Sequence, residues 1–139
     1  MSEISILLEK MREQRRRTQD RVQSVTEDQM LAKAHYGDRE VNARFFFYRL
    51  ITHQVEHTVH LTKTLQTLGI VQGEAESILK KLQAASGELE GMLIGLSDAD
   101  LDKIPMEGDW SVREVLEHII EGEESYSSQI EDSTNSSTG

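Results

Sequence analysis

Apolar residues recur at three- and four-residue steps along four stretches of the chain, with polar residues, several of the glycines and the lone proline between them. A helix turns about 100° per residue, so such spacing gathers side chains onto one stripe. Ile4, Leu8, Met11, Thr18, Val22 and Val25 form the first stripe; Val41, Phe45, Tyr48, Val55 and Val59 form the second. A third combines Ile78, Leu79, Leu82, Leu89, Leu93 and Leu96, and a fourth follows Ser111. The pattern predicts helices near residues 3–25, 39–68, 74–96 and 111–131, the second beginning near Asp38. The fourth start is the sharpest, because Ser111 and Glu114 have the spacing of a reciprocal capping pair.

Four amphipathic helices of similar length cannot each bury a stripe alone, so the expected fold is all-α, a four-helix bundle. Shifting the chain by 71 residues aligns it with itself without a gap. Gly37-Asp38 then falls on Gly108-Asp109, Thr26-Glu27 on Ser97-Asp98, Val41 on Val112 and Phe45 on Leu116. The bundle is therefore expected to consist of two related helix pairs. The connection from Leu68 to about Glu74 is short and favours antiparallel neighbours. One domain is expected over residues 1–131, followed by a polar, disordered tail at 132–139.

Composition narrows the chemistry. The 139 residues suffice for a single core, and 5% aromatics with one proline suit long helices. The absence of cysteine excludes disulfides, thiolate-bound zinc and an internal thiol nucleophile. A net charge of −10 argues against binding nucleic acid. The Arg12, Arg15, Arg16, Arg17 and Arg21 run reads as a solvated helix face. No signal peptide or membrane-spanning stretch is evident, and a cytoplasmic protein is expected. Phe45, Phe46, Phe47 and Tyr48 point in several directions around the second helix, more than one core can cover, so a homodimer is expected.

The candidate chemistry lies in histidine. His53, His57 and His60 share one stripe at the edge of the apolar arc of the second helix, beside Phe46 and Leu50. His118 takes a similar border position on the fourth helix. Imidazoles at i and i+4 can offer two nitrogens to one metal ion, and border positions leave coordination sites open. His53-Gln54-Val55-Glu56-His57 also fits the His-x-x-Glu-His pattern of inverted zinc peptidases, but a short all-helical chain lacks their context. His35 has no partner in the sequence.

Two segments, taken together, resemble the DinB-like superfamily, which includes metal-dependent hydrolases and thiol-dependent transferases. Trp110-Ser-Val-Arg-Glu114-Val-Leu-Glu-His118, with Glu123 following, is similar to the family's Trp-Ser-x-x-Glu-x-x-x-His segment. His53-Gln-Val-Glu-His57-Thr-Val-His60 is similar to its His-x-x-x-His-x-x-Gln segment, with His60 where glutamine is usual. The segments stand here in the reverse of the family's usual order, as exchange of two halves of a pseudo-twofold bundle would produce. The resemblance implies a divalent ion held by His53, His57 and His118, with Glu56, His60 and Glu123 as supporting groups. Three imidazoles suit zinc, nickel or iron(II). It implies hydrolysis or transfer with a small-molecule thiol as substrate, and names no catalytic residue. A non-catalytic homodimeric binding module without metal is the alternative.

Overall fold

The computed structural model describes residues 1–137. The chain is mostly helical: α1 spans Glu3–Val22, α2 Ala43–Thr67, α3 Glu74–Gly91 and α4 Val112–Ser137. Between α1 and α2 lies one antiparallel hairpin, β1 Lys33–Tyr36 and β2 Arg39–Asn42. The described residues group into two compact units, Met1–Met92 and a second from Leu93 onward.

The hairpin corrects the expected start of the second helix. Residues 39–42 pair as a strand, and α2 begins only after Asn42, whose Oδ1 accepts from the Phe45 amide at 3.1 Å. Gly37 and Asp38 are the two turn residues between the paired Tyr36 and Arg39, and Gly37 has φ +62°. A two-residue hairpin turn demands a left-handed residue, which glycine supplies without a Cβ clash. Gly-Asp therefore marks a turn here rather than the entry to a helix.

Two stretches show matching local geometry at the 71-residue spacing. Val25 N–H donates to the Val22 carbonyl at 3.2 Å, and Leu96 N–H to Leu93 at 3.2 Å. Thr26 and Gln29 exchange backbone-to-side-chain hydrogen bonds, and the Ser97 amide and hydroxyl donate to Asp100. Gly108, like Gly37, has a positive φ, +88°. The parallel ends at the hairpin, for the second half forms no strand there. Pro105 stands where the first half has Ala34. Ala34 pairs with Val41, a position where ladder alternation calls for an N–H that proline lacks.

Among the described residues no hydrophobic side chain is buried, so the apolar stripes stand open. Within the first unit, α1 and α2 flank a groove lined by Leu7, Met11, Thr18, Leu50 and Gln54. The expected antiparallel packing of α3 along α2 is not found. α2 ends at Gly69, φ +70°, with the Ile70 amide bonded to the Leu65 carbonyl at 3.0 Å. Ile70 and Val71 then run exposed to the Gly73 N-cap of α3.

α4 reaches Ser137, through 132–137 of the stretch expected to be a disordered tail. The hydroxyls of Ser133 and Thr134 donate to the carbonyls of Gln129 and Ile130, at 2.7 and 2.9 Å. These small polar residues thus bond along the helix instead of competing with it. Thr138 and Gly139 lie outside the described residues.

Candidate metal centre

The three histidines of α2 occupy the solvent-exposed middle of the helix. Helical rise brings i and i+4 side chains to neighbouring levels on one face. The His53 and His57 rings accordingly lie 4.5 Å apart between centroids, inclined by 73°. His60 is farther along: its ring is 5.7 Å from that of His57. The first two make the close pair.

His53 also forms part of the wall of an open apolar groove of about 590 Å³. Val22 and Val25, Tyr36 from the hairpin, and Phe46 and Leu50 from α2 share that wall. The hairpin closes one end through an aromatic cluster: Tyr36 lies 5.2 Å from Phe45 and 6.2 Å from Phe46. Arg39 sits over the Phe45 ring and Arg49 over Tyr36, at 5.9 and 6.0 Å, each placing a cation on an electron-rich face. Part of the aromatic surface assigned to a dimer contact is therefore met by the chain's own hairpin. Tyr48 remains 63% exposed.

In the second unit, the start of α4 is fixed from several directions. Glu114 N–H donates to Ser111 Oγ at 3.1 Å, and Ser111 N–H donates to Glu114 Oε2 at 2.7 Å, the reciprocal cap expected from the sequence. Ser111 is the one buried residue among those described, at 6% exposure. Arg113 grips the Asp102 carboxylate at 2.8 and 3.3 Å, and its amide donates to the Leu101 carbonyl. The Arg113 guanidinium holds the Asp102 carboxyl below its ordinary pKa. Two turns into this anchored helix, the His118 ring meets the Trp110 indole edge-on, 4.9 Å between centroids.

Among the described residues no three His, Asp or Glu side chains are grouped to hold an ion. His53 and His57 fit as a pair, with adjacent rings and open solvent beyond them. His60 does not complete a set with them. Glu56 and Glu123 are exposed, and among the described residues neither hydrogen-bonds a histidine. His35 lies on β1 opposite Glu40.

The groove beside His53 is the feature that sequence reading missed. Its signal was present in Gly37-Asp38 flanked by short alternating runs, which is a hairpin signature. The hairpin is what delivers Tyr36 to Phe45 and Phe46. No family model, curated protein or solved structure matches the chain.

Proposed function

We propose that this chain is a DinB-like, divalent-metal-binding helical protein acting as a metal-dependent hydrolase or a small-thiol-dependent transferase. The observation that supports the reading best is the close, exposed His53–His57 pair at the wall of an apolar groove. His118, presented beside Trp110 on a firmly capped helix, is the third ligand in this reading. Three neutral imidazoles with open positions beside them suit zinc, nickel or iron(II). Such an ion, when bound, supplies an electrophilic centre that acidifies water or a thiol and polarises an electrophile.

The chain's own residues do the rest. The groove takes the apolar part of a substrate, with His53 at its wall. With no cysteine in the chain, a sulfur nucleophile comes from a small-molecule thiol. Glu56 and Glu123 serve as acceptors that orient imidazole N–H groups once the site is assembled. The matched turns at Thr26–Gln29 and Ser97–Asp100, with Gly37 and Gly108, support the reading of two related helix pairs. A cytoplasmic location belongs to the same proposal, and a chain free of cysteine is compatible with it.

The exposed apolar stripes also favour a second reading, a homodimeric binding module whose histidines hold no metal. Metal analysis of untagged protein separates the two. About one equivalent of zinc, nickel or iron per chain supports the site; protein that stays metal-free after reconstitution with each ion rejects it.

A further inference from the structure

The two halves of the chain differ sharply in charge. Residues 1–71 hold 11 Lys and Arg against 9 Asp and Glu, while residues 72–139 hold 4 against 16, giving +2 and −12. The asymmetry is carried by the helices: α1 contains Lys10, Arg12, Arg15, Arg16, Arg17 and Arg21, whereas α4 has Arg113 as its single cation among seven carboxylates. Pairing first half with first half, or second with second, gains nothing from this pattern. A first half set against a second half brings opposite charges together at the rim of the contact, which selects the partner face and its orientation.

The apolar surfaces agree with that selection. In the first half, the groove walled by Val22, Tyr36, Phe46, Leu50 and His53 lies open and continues toward Leu7 and Met11 of α1. In the second half, α4 carries an apolar stripe, Val115, Ile119, Tyr126 and Ile130, with exposures of 39, 38, 70 and 65%. These four fall within about 60° of one another on the helix. Leu116 and Ile120 widen the apolar surface on one side, and most of the other residues of the helix are charged or hydroxylated. One face is an elongated trough and the other a ridge of matching polarity.

We infer that a second copy of the chain fills the groove: α4 of each copy lies along α1, α2 and the hairpin of the other, in a reciprocal two-fold exchange. The connection between the halves is arranged for this. α2 is terminated at Gly69, and α3 departs without packing along it. Such an open connection is the usual starting point for exchange of an element between copies. The area is adequate as well. The 26 residues of α4 run about 39 Å, and a contact strip about 10 Å wide covers roughly 400 Å² on each side. Two reciprocal contacts, both sides counted, bury roughly 1,600 Å², the size of a standard specific interface. A single contact would bury only about half of that.

The exchange stands on shape and charge and does not depend on a metal. Where the proposed metal site also holds, it follows that His118 reaches His53 and His57 from the partner copy.

Equal amounts of ¹⁵N-labelled and unlabelled full-length chain, mixed and equilibrated, test the exchange. Carbodiimide then joins Lys10, Lys33 or Lys63 of the first half to carboxylates of the second, and mass spectrometry reads the isotope of each joined peptide. Reciprocal exchange predicts a dimer by sedimentation at micromolar concentration, with about half of the first-half to second-half links of mixed isotope. A monomer, or a dimer in which such links are absent or all of one isotope, overturns it. Failure of the protein to bind metal leaves this readout untouched and counts only against the metal reading.

Discussion

His57 stands one helical turn beyond His53, and their rings meet at 4.5 Å with planes inclined by 73°. Neither ring is covered, and among the described residues no carboxylate is hydrogen-bonded to either. The four-residue spacing sets the two imidazoles on neighbouring levels of one helix face, the arrangement that the proposed metal site uses. His53 additionally belongs to the wall of the groove where the hairpin meets α2, so the same residue belongs to the donor pair and to the apolar surface.

The hairpin that builds this groove depends on one backbone conformation. Gly37, at φ +62°, has no atom within 4 Å of where a Cβ would stand, so a side chain there fits in space and is opposed by the backbone alone. Gly37→Ala is expected to cost about 1 kcal/mol, and Gly37→Asn less, because asparagine tolerates the left-handed region. Urea unfolding compares the three proteins. Equal stability of all three would mean that the turn does not require this conformation.

The cap at the start of α4 is expected to hold the Trp110–His118 segment in place. Ser111→Ala removes the acceptor for the Glu114 amide and should cost about 1 kcal/mol, while Ser111→Asp should retain most of the stability. Urea unfolding of both variants gives the comparison. An alanine variant as stable as the parent would show that the cap contributes nothing.

An acid-sensitive contact lies just upstream. Hydrogen bonds from the Lys103 ammonium and from Ser97 lower the Asp100 carboxyl from its ordinary 3.8 to about 2. A carboxyl depressed by folding contributes stability that is present above its unfolded value and is lost as pH falls through the folded one. The 97–103 turn is therefore expected to weaken between about pH 4 and pH 2, and Asp100→Asn should abolish that part of the acid response. Carboxyl chemical shifts across an acid titration report it directly. A midpoint for Asp100 near the ordinary value would contradict the arrangement.

Much of the helical content was legible in the sequence, because periodicity reports each helix locally. The stripes at Ile4–Val25 and Ile78–Leu96 fall on α1 and α3 or their C-terminal turns, and Ser111 with Glu114 marked the start of α4 to within a residue. The hairpin escaped because Val41, which on β2 pairs with Ala34 of β1, also fits the helical stripe that continues through Phe45 and Tyr48. Residues 132–137 escaped because serine and threonine carry no apolar periodicity, although their hydroxyls can bond back to the helix carbonyls. The histidine pair was visible from its four-residue spacing. Its position at a groove was not, since that depends on where the hairpin places Tyr36.

The central claim is that His53, His57 and His118 bind one divalent ion. Titration of zinc or nickel into the His57→Ala, His118→Ala and His60→Ala variants of the full-length protein tests it most directly. The account predicts that His57→Ala and His118→Ala each weaken binding by at least about 100-fold, more than loss of a supporting group costs, and that His60→Ala changes it far less. A large effect of His60→Ala with none from His118→Ala, or unchanged binding in all three, would contradict it.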